Sequence, residues 1–504
     1  MNAVPRRAGA SPPQSSPQGG EGVPQPTSHS AALAASTHAG GQAEQAAVAH
    51  SAVLTAPPCG GGREGQAPHV GIAGAGLAGR LLAWRLLRAG MRVSLFDAHA
   101  RTDRSSAGPT AAAMLSPTAE LAAADAQIHA LGVASLGIWP QWLAELHAQT
   151  GREVYFRREG TLVVAHAADA GALDHYAALL RAHLPAGSAA AQPLARASRA
   201  GPSPDTPIAP AGPAARPQSA ANLPGGLPPA ESSVRQAEAA MQPVDGAHIA
   251  ALEPLLAGRF ARGLLLPQEG QLANDQLYAA LAAALDAGLA ACGGAWHEGL
   301  AIEQVQAAAL VDAHGTRHGF DLAVDCRGVG SRGEWPGLHG VRGEVLTVFA
   351  PGISLRRPVR LIHPRYAIYV APRPGSQFIV GATELDSEDA GPPTLRSTLE
   401  LGSALYSLHP EFGEARVLRL AAALRPALPD HQPVAGKGAD GVWRINGLFR
   451  HGYLIAPALV RQVAADIVAA FAAARAAPPG AATQGASRAS SNLQPPIQTQ
   501  PQAA

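Results

Sequence analysis

Large aromatic side chains are scarce in this chain, since only 4% of its 504 residues are Phe, Trp or Tyr. Three segments contain none and consist mostly of small or polar residues: residues 1–67, the Pro/Ala-rich insertion 185–239, and residues 474–504. Such segments cannot bury enough apolar surface to offset the entropy of ordering the backbone. The sequence therefore predicts disorder in these segments. The predicted folded part, residues 68–184 and 240–473, is long enough for a large core.

Cysteine, net charge and long apolar runs are also in short supply. The three cysteines, Cys59, Cys292 and Cys326, are far apart and form no metal-binding pattern. We therefore expect reduced thiols in a cytosolic protein, and no metal. A net charge of +1 with scattered basic residues gives no sign of nucleic-acid binding. No apolar run approaches the roughly 20 residues of a spanning helix, and none follows the basic N-terminus, so neither a membrane span nor a secretory signal is predicted.

The predicted folded part begins with a glycine-rich stretch between two strand-like runs. Residues 69–99, "HVGIAGAGLAGRLLAWRLLRAGMRVSLFDAH", predict a strand, a tight turn, a helix over Leu77–Arg88 and a second strand that closes on Asp97. The turn contains the three glycines of a G-x-G-x-x-G pattern: Gly74, Gly76 and Gly79. Glycines at this spacing let a pyrophosphate approach the helix N-terminus. The acid at the end of the second strand accepts a hydrogen bond from a ribose hydroxyl. A dinucleotide site is predicted, although the glycines alone do not distinguish FAD from NAD.

Strand-like and helix-like runs are interleaved along the rest of the predicted folded part. The expected elements are a hairpin over residues 154–165 with its turn at 159–160, a helix over 276–293, a hairpin that ends in a buried strand at 322–326, a hairpin around 374–375 and a final helix over 457–474. A strand–helix–strand start predicts a parallel sheet with right-handed crossovers. We expect an α/β fold in which a Rossmann-like nucleotide-binding domain is interwoven with an antiparallel-sheet substrate domain.

Several blocks of the sequence resemble those of a known enzyme family. They are Ser105–Glu120, Glu159–Ala165, Gly263–Leu277, Gly340–Leu346, Tyr369–Glu384, Leu424–Gly436 and Phe449–Ala458. In this order they resemble the FAD-dependent D-amino acid oxidase superfamily and, within it, the glycine oxidases of thiamine biosynthesis. The resemblance extends from about Pro68 to Ala470 and is interrupted by the insertion. It is more specific for the superfamily than for glycine as the substrate.

The resemblance implies FAD as the cofactor, bound in the Rossmann-like domain. The implied cofactor-binding residues are Gly74, Gly76, Gly79, Asp97, Ser105, Ala113, Met114, Gly447, Gly452, Tyr453 and Leu454. In this family Asp97 would bind the adenosine ribose, and the loop Ser105–Met114 would pass beside the flavin. The turn Gly447–Leu454 would supply backbone N–H groups near the pyrimidine end of the flavin.

The resemblance also implies three residues that act on the substrate. Arg425, in Leu-Arg-Pro, would bind the substrate carboxylate, because a planar guanidinium donates two parallel hydrogen bonds to a carboxylate. Arg450 carries over from Phe-Arg-Asn-Gly, and Tyr369 from Tyr-x-x-Pro-Arg. The residues by themselves leave other roles open: Arg425 pairing a buried acid, Arg450 at the pocket rim, and Tyr369 as a packing residue.

Two stretches depart from the family pattern. The family's Gly-His-Phe-Arg-Asn-Gly is Gly-Leu-Phe-Arg-His-Gly here, so that Leu448 and His451 differ. Leu424 follows three alanines where the family often has Trp-Ala-Gly. These departures do not touch the FAD assignment and bear on the shape of the amine pocket.

The resulting hypothesis is FAD-dependent oxidative deamination of glycine or a small amino acid. A hydride would pass from Cα to flavin N5 and give an imine for thiazole synthesis in the thiamine pathway, with oxygen as the electron acceptor by analogy. One alternative is a D-amino acid or N-methyl amino acid dehydrogenase that uses another acceptor. The other is a flavin-binding protein that serves a partner and has no amine oxidase activity. Each hypothesis is compatible with a homo-oligomer.

Overall fold

The computed structural model describes residues 67–184, 239–363 and 368–476. The predictions of disorder for residues 1–67, 185–239 and 474–504 lie, apart from the margins of these segments, outside the described residues. At one margin the final helix continues to Ala476, two residues beyond its predicted end.

Strands and helices alternate along the described residues. The strands are β1 (His69–Ala73), β2 (Arg92–Asp97), β3 (Met114–Leu115), β4 (Phe156–Arg157), β5 (Thr161–Ala165), β6 (Gln242–Asp245), β7 (Arg262–Leu266), β8 (Gly270–Leu272), β9 (Ala295–Glu298), β10 (Ile302–Gln306), β11 (Ala309–Asp312), β12 (Arg317–Gly319), β13 (Leu322–Asp325), β14 (His339–Phe349), β15 (Val359–Ile362), β16 (Ile368–Arg373), β17 (Gln377–Gly381), β18 (Arg416–Ala427), β19 (Val434–Lys437) and β20 (Trp443–Asn446). The α-helices are α1 (Leu77–Arg88), α2 (Ala107–Thr110), α3 (Pro117–Glu120), α4 (Ala126–Thr150), α5 (Ala170–His183), α6 (Gly246–Leu252), α7 (Asn274–Cys292), α8 (Leu395–Leu408) and α9 (Gly452–Ala476).

A six-stranded sheet contains the predicted strand–helix–strand start. Its order is β19-β20-β13-β1-β2-β9, and every pair is parallel except β19 with β20. The helix α1 has the predicted bounds, and Gly90 follows it with a positive φ of 79°. The Rossmann-like parallel sheet is therefore confirmed, with β1 at its centre.

An eight-stranded sheet, in the order β18-β14-β17-β16-β15-β5-β7-β6, forms the second part of the fold. Its pairs are antiparallel except β5 with β15. The strands of the two sheets are interleaved along the chain, because β14 to β18 lie in sequence between β13 and β19. The interwoven α/β architecture predicted from the sequence is confirmed.

The two faces of the eight-stranded sheet differ in what covers them. On one face, Leu346, Val370 and Val380 pack with Leu401 and Leu405 of α8 in an apolar cluster. The opposite face carries one residue from each of five neighbouring strands in a continuous row: Arg360, Tyr369, Gly381, Val345 and Ala421. Since side chains alternate along a strand, Arg425 and Arg373 lie on this second face as well.

The predicted hairpin over residues 154–165 is wrong. β4 pairs with β8 in a small sheet, whereas β5 pairs with β7 and β15 in the eight-stranded sheet. Gly160 has a φ of 81°, and a Cβ built there would lie 2.9 Å from the carbonyl oxygen of Leu266. The glycine therefore marks a crossing from one sheet to another, which in the sequence has the same pattern as a hairpin turn.

The helix α9 lies in the core. Phe449–Arg475 is long and apolar enough to cross a membrane by length and composition, a property that the sequence analysis did not detect. It packs against α1 and α4, and Leu459, Val460 and Val463 have no exposed surface. Burial against these helices accounts for the apolar side chains of α9 up to Ile467, whereas most of the residues after it are exposed.

Candidate cofactor and substrate site

The three glycines between β1 and α1 have different reasons to be glycine. A Cβ on Gly74, whose φ is 94°, or on Gly79 would collide with backbone atoms of Cys326 or Gly74 respectively. A Cβ on Gly76 would meet no atom of the described residues within 4 Å. The protein's own packing therefore requires two of the glycines, while Gly76 faces open space at the N-terminus of α1.

Asp97 lies at the end of β2 beside this turn, as predicted. Its Oδ2 accepts a hydrogen bond from the backbone N–H of Ala75 at 2.6 Å, and its Oδ1 accepts one from His99 N–H at 2.9 Å. Among the residues that the structure describes, no side chain caps the N-terminus of α1. An uncapped helix N-terminus, an open glycine and an adjacent carboxylate form a cradle that fits the pyrophosphate and ribose of a dinucleotide.

The loop Ser105–Met114 is held from two sides. Tyr453 donates a hydrogen bond from its hydroxyl to the carbonyl of Gly108 at 2.9 Å. Arg373 donates to the carbonyl of Ala112 and, at 2.6 Å, to Gln271 Oε1. Within the loop Ala113 is buried with a φ of 48°. The loop is thus fixed between α9 and the eight-stranded sheet.

Not every predicted residue of this loop faces the same region. Ser105 is exposed and donates hydrogen bonds to Asp103 from both its N–H and its hydroxyl. Met114 is partly buried and packs, like Tyr369, against the apolar cluster of Ala112, Val345 and Ile379. The structure therefore places Met114 beside the sheet face that carries Arg425, and the Ser105 side chain outside it.

The turn that begins at Gly447 leads directly into α9. Gly447 has a φ of 71°, and its N–H donates to Asn446 Oδ1 at 2.7 Å. Gly452 is the first residue of α9. The side chains of Tyr453 and Leu454 are buried, which leaves the backbone at the N-terminus of α9 as the part that can serve a cofactor.

Arg425 lies flat against the eight-stranded sheet. A Cβ on Gly343, in the adjacent strand β14, would collide with the Arg425 guanidinium. Nη2 of Arg425 donates to the carbonyl of Thr383 at 3.0 Å. Nη1 is shielded from solvent and makes no hydrogen bond within the described part of the chain. Because a buried donor without a partner is costly, this nitrogen is suited to an anionic ligand.

Tyr369 lies over a second glycine of the same sheet. A Cβ on Gly381 would be 2.6 Å from the Tyr369 hydroxyl oxygen. The guanidinium of Arg360 lies 5.9 Å from the Tyr369 ring on its other side. Burial raises the pKa of Tyr369, so that its hydroxyl stays protonated and can donate a hydrogen bond.

Arg450 is close to this site but its guanidinium is already engaged. Nε donates to Glu120 at 2.9 Å, and Nη1 donates to Glu384 at 2.9 Å. Arg360 also contacts Glu120, at 3.3 Å. The implied action of Arg450 on the substrate stays a prediction, because its guanidinium binds and positions these two acids.

Burial and charge shift the pKa values of the groups around Glu120. Burial raises the pKa of Glu120, but the charges of Arg450 and Arg360 outweigh it and lower the pKa overall. Burial lowers the pKa of His451 to about 4. His451 Nδ1 lies 3.4 Å from Glu120 Oε2 without hydrogen-bond geometry. The cluster at neutral pH is thus an ionised Glu120 with two guanidiniums and a neutral imidazole.

Several residues of the site had no assigned role in the sequence analysis. They are Gly343, Gly381, Thr383, Glu120, Glu384, Arg360 and Arg373. All of them except Arg360 lie within the quoted blocks of sequence, so the blocks were the available signal. Their roles depend on cross-strand register and on contacts between distant segments.

A metal centre finds no support in the part of the chain that the structure describes. Residues 67–184, 239–363 and 368–476 contain no group of three His, Cys, Asp or Glu side chains that could hold an ion. Cys326, one of the three cysteines, is 7% exposed, and burial raises the pKa of its thiol.

The fold and the glycine cradle define a dinucleotide-binding protein with a second sheet over which a small anion can bind. Residues 69–465 match the family model for FAD dependent oxidoreductases. The chain belongs to this family, and the choice between FAD and NAD that the glycines left open is settled for FAD.

Individual relatives agree with the family. A protein of Rhizobium etli described as a thiamine biosynthesis oxidoreductase, ThiO, is 36% identical over 395 residues, which cover 78% of this chain and 94% of that one. A glycine oxidase of Pseudomonas aeruginosa is 32% identical over 126 residues, 25% of this chain and 34% of its own. The crystal structure of glycine oxidase from Geobacillus kaustophilus has a TM-score of 0.61 at 21% identity, covering 80% of this chain and 95% of that chain.

Substitution of two glycines should separate cofactor binding from folding. We expect Gly76→Ala to leave the apoprotein as stable as the wild type, since its Cβ meets no atom of the described residues, and to weaken FAD binding by about 1–3 kcal/mol, or roughly 5- to 150-fold. Gly79→Ala should instead lower the melting temperature of the apoprotein. Quenching of flavin fluorescence measures the affinity. Unchanged FAD affinity in Gly76→Ala would place the cofactor elsewhere.

His451 should make the protein sensitive to acid. Its pKa is about 4 in the folded state against 6.5 for a free histidine. Between these values the unfolded chain binds more protons, so this group should remove up to about 3 kcal/mol of unfolding free energy as pH falls through that window. Urea unfolding of His451→Gln should show a correspondingly smaller loss, and the exposed His175→Gln should behave as wild type. Identical pH dependence in all three proteins would contradict this expectation.

Proposed function

We propose that the chain catalyses the FAD-dependent oxidative deamination of glycine or another small amino acid. The observation that supports this most directly is Arg425. Its Nη1 is buried without a hydrogen-bond partner, and Arg425 forms no ion pair within the described ranges. A substrate carboxylate would provide both the missing acceptor and the missing counter-charge.

The neighbouring charges support the same assignment. Arg450 is paired with Glu120 and Glu384, and Arg360 with Glu120. Of these three arginines, Arg425 is therefore the one without a carboxylate partner, so its charge is available to a ligand. The hydrogen bond to the carbonyl of Thr383 and the close packing over Gly343 fix the plane of the Arg425 guanidinium. A carboxylate would therefore bind in one orientation.

Tyr369 would complete the binding of the carboxylate. The Tyr369 hydroxyl is protonated and lies on the same sheet face as Arg425, packed closely over Gly381. Met114, Val345 and Ile379 would keep water away from the substrate carbon, because they form an apolar cluster beside Tyr369. A second contact and an apolar wall both favour a small amino acid held at its carboxylate end.

The cofactor cradle would be formed by the turn Gly74–Gly79, Asp97 and the loop up to Met114, with the backbone at the start of α9. FAD, when bound, would supply the acceptor for the hydride lost from the substrate Cα. The chain's own contribution is to bind the carboxylate, orient Cα and exclude water. No protein nucleophile or metal takes part in this scheme.

The imine product would leave to hydrolyse or to enter thiazole synthesis, with oxygen as the electron acceptor. The thiamine role is supported by the 36% identity to the protein described as ThiO. A second candidate is a larger or N-methylated amino acid. It is supported by Ala421, a small residue that packs beside Tyr369 and Met114 at the position where the resembling family often has Trp.

Anaerobic reduction of the bound flavin tests the proposal. We expect bleaching of the flavin absorbance by glycine or another small amino acid, because the site fits one carboxylate and a short carbon chain. A panel of glycine, sarcosine, D-alanine and larger D-amino acids measures the preference, and a methyl amine without a carboxylate is the control. Bleaching only by the larger compounds would support the second candidate, and a yellow protein that no amine reduces would contradict both.

Removal of the Arg425 guanidinium should strongly reduce the stabilisation of the transition state. Arg425→Met should lower kcat/KM by about 2–5 kcal/mol, or roughly 30- to 4,000-fold, since a buried charge partner is lost. Arg262→Met, an exposed arginine of the same sheet, is the matched control. Steady-state kinetics with the preferred amine, on protein that retains its flavin absorbance, measures the effect. An unchanged KM and kcat in Arg425→Met would remove this residue from the site.

A further inference from the structure

Glu384 is the more open of the two acids that pair with Arg450. Its side chain is 46% exposed, whereas that of Glu120 is 16% exposed. Both oxygens of Glu120 are occupied, Oε1 by Arg360 and Oε2 by Arg450. Within the described ranges, Glu384 binds Arg450 through Oε2 at 2.9 Å, and its Oε1 accepts no hydrogen bond. Glu384 therefore has a carboxylate oxygen that a ligand can use.

The backbone of Glu384 is fixed beside β14. Thr383, the residue before it, accepts a hydrogen bond at Oγ1 from the N–H of Glu344 at 2.9 Å. Leu385, the residue after it, exchanges two backbone hydrogen bonds of 2.9 Å with Arg342 of the same strand. Because both neighbours of Glu384 are tied to β14, its Cα is held in place before any ligand binds.

This position is next to the proposed carboxylate-binding group, Arg425. Nη2 of Arg425 donates at 3.0 Å to the carbonyl of Thr383, which belongs to the peptide group that links Thr383 to Glu384. Burial lowers the pKa of Arg425, and the charges of Glu384 and Glu120 oppose this shift. The amino and carboxylate groups of an α-amino acid are attached to the same carbon. The group that binds the amine must therefore lie close to the group that binds the carboxylate.

The other polar groups near Arg425 are less suited to an ammonium group. Arg360 and Arg450 are cations and would repel it. The Tyr369 hydroxyl can accept a hydrogen bond but has no charge, and both oxygens of Glu120 are already bound. A carboxylate with an available oxygen provides a hydrogen-bond acceptor and an opposite charge at once. Of the described groups around Arg425, Glu384 has this combination.

We propose that Glu384 binds the amino group of the substrate through Oε1 while Arg425 binds its carboxylate. This inference rests on the proposed function, because it assigns a further residue to the same amino acid site. Two groups of opposite charge would hold the substrate as a zwitterion and orient its Cα. The negative charge would also select against hydroxy acids, which lack the ammonium group, and against dicarboxylic acids, which it repels.

Comparison of glycine with glycolate tests the inference, because a hydroxyl replaces the amino group in glycolate. In FAD-loaded protein, we expect Glu384→Gln to weaken glycine binding about tenfold, since a charge-assisted hydrogen bond is lost. Glycolate should bind this variant as tightly as the wild type or more tightly. Glu388→Gln removes another exposed glutamate that pairs with an arginine, and this matched control should bind both ligands as the wild type does. D-Alanine and D-lactate replace these probes if D-alanine is the better substrate.

The shift of the flavin absorbance on binding measures the dissociation constant of each ligand. For an amino acid that reduces the flavin, the constant comes from the dependence of the anaerobic reduction rate on its concentration. Equal losses of affinity for amino acid and hydroxy acid would overturn the inference, because Glu384 would then act only through Arg450. An unchanged affinity for the amino acid, or a wild type that binds neither pair of probes, would also overturn it. If no amine reduces the flavin, the proposed function fails, and the two affinities still decide the role of Glu384.

Discussion

The site depends on one guanidinium that the chain leaves incompletely satisfied. Arg425 lies flat against the sheet because Gly343 has no side chain and because Nη2 donates to the carbonyl of Thr383, and its Nη1 has no hydrogen-bond partner among the described residues. A buried cation in this condition raises the free energy of the empty protein, and the substrate carboxylate that we propose would relieve this cost. The strand pairing of β14 with β18 is what keeps the guanidinium in place.

The surrounding acids show how the chain directs charge. Three arginines lie near one another, and two acids, Glu120 and Glu384, are placed so that they serve Arg450 and Arg360. Glu120 comes from α3 and Arg450 from the turn before α9, 330 residues later, so this pairing also joins the two ends of the fold. Carboxylates placed on Arg425 instead would have neutralised the charge that the proposed substrate carboxylate would use.

The sequence predicted the parts of the site whose residues lie close together along the chain. The turn Gly74–Gly79 and Asp97 lie within a short stretch, and their geometry follows from one strand, one turn and one helix. The prediction of a hairpin over residues 154–165 was wrong because Gly160 joins strands of two different sheets. A local sequence pattern does not show which strand will pair with which. The ion pairs of Arg450, and the packing of Arg425 over Gly343 and of Tyr369 over Gly381, could not be predicted for the same reason. Each depends on strand register or on contacts between distant segments.

The strand β6 has a consequence for how this chain can vary in length. The described chain stops after Leu184, just beyond α5, and resumes at Ala239, just before β6, which is the terminal strand opposite β18. With strands about 4.8 Å apart, seven spacings put this margin about 34 Å from the Arg425 strand along the sheet. The other margin, at the end of α5, is closer to the charged cluster, because Tyr176 donates to the carbonyl of Ala119 at 3.2 Å and His183 Nδ1 lies 3.0 Å from the carbonyl of Leu121, on either side of Glu120. A change in chain length is therefore absorbed more easily beside β6 than beside α5.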